Sequence, residues 1–461
     1  MMQFKPLAHP PDGQHGHFIG KLQLRPEQWI FVASGALTAL TTLYMFIYKN
    51  NLFDKLGSNH NKRLLNSAQA WIDHGYWKLS GFLYFNDDYS GAFPEVLYRS
   101  HAPFYALPHY FALREGGESS FWLIVGLIPV ITAFVLSASL AGLAWVLVKS
   151  LPANHRWADV RGSAFVSAVS AFSITFASEP IWSLSWNTFD GSAALLVFVI
   201  SITLALVCRS ARFQQFNRLP SLLLILSALL CSRFGLALTV AILFIRLSED
   251  MHIKKHGQIP KNSIFSWPVL GLVLLASLSH FLHLAIASSW QGLHFRGGDL
   301  FGRMGLTVWW EHAGQGPLDY KTPLDAFTFI WNQSEVVINK LPLWLSFHHA
   351  LVWSVALIST ACLVGEKKCF YARPYLLILL LPILIWTVFL NQSAAEHPDL
   401  ISILWLPAYV LGVATLFGRL FAFLCIRIRR NQAYLYIALL LWLFFLWQFQ
   451  YFMRAYIEFD A

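Results

Sequence analysis

Apolar residues along this chain gather into long runs rather than into the alternation of a strand or the narrow stripe of a soluble helix. Eleven runs approach the about 20 residues that a helix needs to cross a bilayer core: 29–48, 120–148, 163–177, 191–208, 220–231, 234–247, 265–288, 343–364, 374–390, 400–417 and 433–452. The two shortest, 220–231 and 234–247, flank Ser232-Arg233. As one helix they would bury Arg233 in mid-membrane, so a hairpin of short or broken helices is expected, with protein covering its exposed backbone.

The polar segments between runs differ in character. Taking 1–28 as a cytoplasmic leader carrying Lys5, Lys21 and Arg25, alternate short loops collect Lys149/Arg156/Arg161, Arg209/Arg212/Arg218, Arg246/Lys254/Lys255/Lys261, Lys367/Lys368/Arg373 and Arg419/Arg427/Arg429/Arg430. Positive charge in short loops marks the inner face, which predicts eleven spans (bounded by 9–13) with the N-terminus in and the C-terminus out. Eighteen of the 24 Asp and Glu fall on the other face, most of them in two long loops, 49–119 and 289–342. Each contains a helical stripe. Leu64, Leu65, Ala68, Trp71 and Ile72 share one face in the first, and Phe327, Ile330, Trp331, Val337 and Ile338 do so in the second, ahead of Pro342. Both are expected to be short amphipathic helices, the first lying in the headgroup plane, and neither has enough apolar surface to stand alone. The two loops are therefore expected to form one juxtamembrane cap on a single transmembrane domain, 29–461.

Composition agrees. A chain of 461 residues that is 56% hydrophobic, 12% charged and carries 38 Phe and 19 Trp is an all-α polytopic membrane protein. The net charge of +9 would point to nucleic acid in a soluble protein, but here the basic residues punctuate apolar runs as orientation signals, which excludes that partner. The first run lies behind a 28-residue, largely polar leader, as expected of a retained anchor and not of a cleaved signal. Cys208, Cys231, Cys362, Cys369 and Cys425 all fall outside the long external loops, so no disulfide framework is implied there. Walker A, CxxC, HExxH and dinucleotide-binding patterns are absent, which leaves ATP-driven transport and zinc proteolysis without support.

Residues 98–107 read Tyr-Arg-Ser-His-Ala-Pro-Phe-Tyr-Ala-Leu. This resembles the Tyr-x-Ser-His-Pro-Pro-Leu-Tyr segment that closes the first external loop of the C-superfamily (GT-C) glycosyltransferases, with Ala102 in place of the first proline. Within that superfamily the likeness is to the protein mannosyltransferase and aminoarabinose transferase group. Segment 64–77 is similar to the family's amphipathic helix, 179–194 to its connection between third and fourth helices, and 397–407 to a late external stretch entering a Pro-containing helix. The resemblance implies a GT-C-like fold in a bacterial inner membrane, with the active site facing the periplasm or exterior. The partners it implies are the membrane, a polyprenyl-phosphate-linked sugar donor and a lipid, glycan or protein acceptor. Where the family places its base carboxylate, this chain reads Asn59-His60-Asn61.

Inverting transfer requires a base for the acceptor hydroxyl and cations or donors for the departing lipid phosphate. Asp54, Asp87 and Asp88 are the candidate bases. Asp54 leads, its plain alternative being a loop aspartate paired with Lys55 or Lys62, while Asp87 and Asp88 also fit an exposed turn. Glu95 is a weaker candidate. An adjacent carboxylate pair is compatible with a divalent cation, but two carboxylates do not define a metal site and no cofactor is required by any motif. Arg99, His101, Arg233, Arg296, Arg303 and His397 are the candidate phosphate and substrate groups, Arg233 having a snorkelling or ion-paired role as its alternative. Glu179 and Asp190 bracket a loop rich in tryptophan that suits either a sugar face or the ordinary interfacial belt. Adjacent His348 and His349 do not share a helix face and make no metal site.

The competing readings are a lipid-linked glycan polymerase or ligase, a multispanning transporter or flippase, and a structural scaffold. Carboxylates gathered early in the chain disfavour the first, helix interiors nearly free of charge the second, and acidic aromatic loops the third. The topology is tested by single cysteines placed at Asn86 and Gly316: both are expected to react with an impermeant maleimide on intact cells. Reaction only after the membrane is permeabilised would reverse the orientation.

Overall fold

The computed structural model describes residues 25–49, 59–84, 86, 88–98, 103–149, 160–178, 190–207, 218–256, 264–296, 373–389 and 398–457. Of these, 86% are helical. Ten of the eleven apolar runs fall on helices, and the run 343–364 lies outside the described residues. In chain order come α1 (Pro26–Lys49), the amphipathic α2 (Asn59–His74), strand β1 (Val96–Tyr98), a 3-10 turn (Pro103–Ala106), α3 (Leu107–Lys149), α4 (Val160–Phe176) and α5 (Asp190–Val207). They are followed by α6 (Arg218–Leu230), α7 (Ser232–His256), α8 (Trp267–Trp290), strand β2 (His294–Arg296), α9 (Arg373–Phe389), α10 (Pro398–Arg427) and α11 (Arg430–Ile457).

Three segments, Phe104–Lys149, Trp267–Trp290 and Leu406–Arg427, are long and apolar enough to cross a membrane, and they mark a membrane protein. Their outward faces carry Leu123, Ile131, Phe134, Leu275 and Leu282, all exposed. Such faces are stable in hydrocarbon and a liability in water.

Local sequence accounts for the helix ends and breaks. At the start of α1, Pro26 occupies the first turn, where its missing N–H costs nothing, and the Gln28 side chain accepts from the Arg25 N–H at 2.9 Å. In α3, Gly117 adopts φ +72°, which a side chain would resist, and the helix breaks there. The apolar run begins at 120, but the helix begins at 107. Residues 107–119, read from sequence as the end of the first long loop, form a separate helical arm.

The segment 218–256 is two helices that meet at Cys231, as the position of Arg233 led us to expect. The corner is tight, because a Cβ on Gly235 would lie 2.9 Å from the Ala228 Cα. Arg233 stands in the first turn of α7, half-buried.

Between helices, small residues and hydroxyls do the joining. α4 lies along α3 and α10, α5 along α6, and α7 between α8 and α9. Ser227 donates to the Ala194 carbonyl at 2.8 Å and Ser201 to the Pro220 carbonyl at 2.6 Å, tying α5 to α6, while Thr203 reaches the Ser139 carbonyl at 3.1 Å and ties α5 to α3. Such bonds replace the hydrophobic drive that lipid removes. A second, aromatic cluster of Phe31, Phe165, Phe421 and Tyr434 joins α1, α4, α10 and α11.

Gly418 on α10 faces α4 so closely that a Cβ there would come within 2.9 Å of the Ser163 carbonyl oxygen and nearer still to Ser167 Oγ. Gly418→Leu is therefore expected to destabilise the protein by about 1–3 kcal/mol, the usual cost of overpacking. Gly126→Ala on α3, where nothing lies within 4 Å, is expected to change little. Unfolding midpoints in detergent compare the two, and equal midpoints would refute this account of the α4–α10 contact.

Candidate functional site

The polar chemistry of the described residues concentrates in a cap built by α2, the chain that follows it, the two strands, the arm of α3 and the end of α8. Its scaffold starts from α2. The stripe Leu64, Ala68 and Trp71 is buried, but against protein and not against lipid. The rings of Tyr76 and Tyr110 stand 5.1 and 5.6 Å from the Trp71 ring, and of the expected membrane face only Ile72 is well exposed. This corrects the expectation of a helix whose apolar side rests on headgroups. The helix of the second loop expected around Phe327 and Trp331 lies outside the described residues.

One edge of α2 grips the returning chain. Asn66 donates to the Asn86 carbonyl at 3.0 Å, Ser67 to the Tyr84 carbonyl at 2.8 Å, and the buried Trp71 indole to the Phe82 carbonyl at 2.7 Å. These bonds satisfy carbonyls that no sheet serves. Beyond them the Tyr98 N–H donates to the Leu83 carbonyl at 2.8 Å. β1 then pairs in parallel with β2, placing Val96, Leu97 and Tyr98 opposite His294, Phe295 and Arg296. Strands from the two long loops therefore share one ladder. Phe82 is the hub beneath it, stacked on His283 of α8 at 4.5 Å and edge-on to Phe295 at 4.7 Å. Ser80 also hydrogen-bonds Gln291 at the end of α8.

The sequence-derived candidates are distributed unevenly. Asp88 is exposed, and its backbone carbonyl accepts from the Tyr84 hydroxyl at 3.2 Å. Arg296 ends β2 opposite Tyr98. Asp190 is the first residue of α5, and Glu95 is exposed just before β1. Arg233 lies at the α6–α7 corner. Asp54, Asp87, Arg99, His101, Arg303, Glu179 and His397 lie outside the described residues, as do His348 and His349. Among the described residues no group of three or more His, Cys, Asp or Glu is arranged to hold a metal ion.

A carboxylate that sequence reading left on the solvent side of α2 proves to be the best organised in the cap. Asp73 accepts from Gln69 Nε2 at 2.8 Å on one oxygen and from the Tyr89 hydroxyl at 2.9 Å on the other. The Gln69/Asp73 spacing of four was readable as a helix-face pair, but the partner sixteen residues on was not. Asp73 and Asp88 are thereby drawn to one surface, since Tyr89 follows Asp88 directly and its ring lies 5.6 Å from that of Tyr84. A separate, carbon-lined groove of about 370 Å³ runs between α1, α3 and α4, bordered by Leu40, Leu43, Ile131, Phe134, Phe172 and Phe176. Comparison with family models, characterised proteins and solved structures finds no match to this chain.

Burial pushes the Tyr89 phenol up to about 12 from an ordinary 10.0, and the hydrogen bond and charge of Asp73 add to the push. Between these values the folded protein keeps a proton that the unfolded chain has lost. Stability from the neutral Tyr89 is thus fully present below pH 10 and falls as pH rises toward 12. Tyr89→Phe is expected to flatten that alkaline loss, read as proteolytic release of segment 82–98 from pH 9 to 12. A loss of the same steepness in both proteins would contradict the Asp73–Tyr89 contact.

Proposed function

We propose that this protein is an integral membrane glycosyltransferase of GT-C type, moving a sugar from a polyprenyl-phosphate donor to a lipid, glycan or protein acceptor at the cap face. In this reading the membrane is the bacterial inner membrane, crossed about eleven times, and the cap faces the periplasm. The observation that carries the proposal is the cap itself: two loops far apart in sequence share a strand ladder beside a body of apolar helices, and the first of them carries the exposed carboxylates Asp73, Asp88 and Glu95. The Tyr-x-Ser-His segment 98–101 starts at Tyr98, the last residue of β1, so the resemblance begins where the two loops meet.

The chemistry follows from the placement. An acceptor hydroxyl attacks the anomeric carbon as a carboxylate takes its proton, the bond to the phosphate oxygen breaks, and the charge left on the lipid phosphate needs cations across the pocket. Asp54, Asp87 and Asp88 are the candidate bases, with Asp54 first. Arg99, His101, Arg233, Arg296, Arg303 and His397 are the candidate phosphate and substrate partners, and Glu179 and Asp190 are candidates for the sugar side. The carbon-lined groove between α1, α3 and α4 offers a hydrocarbon chain a berth beside the body of the protein. A base and a phosphate partner that flank one anomeric carbon belong on the order of 6–12 Å apart.

The test is transfer from purified polyprenyl-phosphate sugars by the protein in liposomes. Asp→Asn at the true base is expected to lower turnover by roughly 10²–10⁴-fold while leaving the fold intact, the range for loss of a general base. Full activity in all three single variants, Asp54→Asn, Asp87→Asn and Asp88→Asn, would remove these residues from the reaction and move the assignment to Glu179 or Asp190.

A further inference from the structure

At the end of α2 four rings form a continuous strip on the outer surface of the cap. Tyr84 meets Tyr89 at 5.6 Å, Tyr89 meets His74 at 6.4 Å, and His74 meets Phe93 at 5.3 Å. Each contact is edge-to-face, with interplanar angles of 64°, 87° and 73° in that order, so each uses a face of only one of its two rings. Phe93 is 40% exposed and lies outside the hydrophobic core, yet it is held in place by His74 on one side and by the Lys78 ammonium 5.0 Å from its centre. The residues just before it, Ser90, Gly91 and Ala92, are exposed as well, and Gly91 has nothing within 4 Å of where a Cβ would be.

Polar groups border the strip. Asp73 is exposed and spends one hydrogen bond on Gln69 and one on Tyr89. An ionised carboxylate has about four acceptor sites, so it retains about two for an outside donor. Lys78 is exposed and adds donors. Aromatic faces flanked within one helical turn by a half-used carboxylate and an ammonium match a ligand that is apolar on its ring faces and hydroxylated round its rim. That is the chemistry of a pyranose, whose C–H face packs on an aromatic ring while its hydroxyls donate to carboxylate. An anionic membrane surface or a nucleic acid is opposed by the exposed carboxylates of Asp73, Asp88 and Glu95 beside the strip.

We infer that the strip from Tyr84 to Phe93, with Asp73 and Lys78, is a saccharide-binding surface that seats a sugar unit of the glycan on the cap. Its assignment to a sugar rests on the glycosyl-transfer reading above. The site is a binding platform beside the reacting centre. Phe93, 40% exposed, supplies the accessible aromatic surface, Asp73 accepts from the sugar hydroxyls, and Tyr89 holds Asp73 in position.

The experiment is saturation-transfer difference NMR on the protein in nanodiscs, titrated with the methyl glycosides of mannose, glucose and galactose. At least one glycoside is expected to receive saturation at its ring C–H protons. Phe93→Ala is expected to weaken that binding by about 3- to 10-fold, the scale of one aromatic contact. Phe93→Tyr should restore it, and Asp73→Asn should weaken it. Trp77→Ala, at a tryptophan 85% exposed but outside the strip, should leave it unchanged. No saturation of any of the three glycosides by the wild type, or undiminished binding in Phe93→Ala, overturns the inference. Binding is read without transfer, so its failure in a transfer-active protein would overturn this inference alone, while Phe93-dependent binding by a protein inactive in transfer would retain it and overturn the enzymatic reading.

Discussion

A backbone in hydrocarbon has no water to bond, so every peptide group in the body of this protein must find its partner within a helix or in a side chain packed against it. The rest of the structure follows from that constraint. It makes the body helical, it makes hydroxyls and glycines the means of joining helices, and it expels carboxylates into the loops. Ser201 on the Pro220 carbonyl and Ser227 on the Ala194 carbonyl show the constraint met at helix contacts. Trp71 on the Phe82 carbonyl shows it met in the cap, where the chain leaves helix altogether and only a side chain is at hand.

The cap is therefore assembled from a few directed bonds. α2 has too little apolar surface to persist alone in water. It becomes stable because the arm of α3, entered through the Pro103–Ala106 turn and broken from the rest of that helix at Gly117, lies under its buried stripe. The same contact fixes where segment 82–86 runs, and that segment carries Tyr98 into the ladder with β2. A surface able to hold a substrate needs such rigidity, since loose loops would spend binding energy on their own ordering.

The surface that results differs from the one sought in the carboxylates alone. Asp88 is exposed and its side chain has no organised role among the described residues of the cap. Asp73, on the polar side of a helix, becomes the organised group because Tyr89 returns to it. Four rings then converge beside it. Their sequence positions, 74, 84, 89 and 93, share no helical or strand period, so periodicity could not have grouped them.

The order of apolar and polar residues by itself determined the class of the protein, the placement of its helices, the break beside Arg233 and the gathering of carboxylates in two loops. It did so because a bilayer imposes its thickness and its lack of water on each segment separately, and such rules are read locally. Local signals also located the amphipathic stripe of α2, but not what covers it, since lipid and protein demand the same apolar face. Tertiary structure alone decided that protein lies against Leu64 and Trp71, that β1 from one loop pairs with β2 from another nearly two hundred residues on, and that Asp73 meets Tyr89. Those contacts join residues whose separation carries no periodic signature, and they form only when the packed helices bring the loop ends within reach of one another.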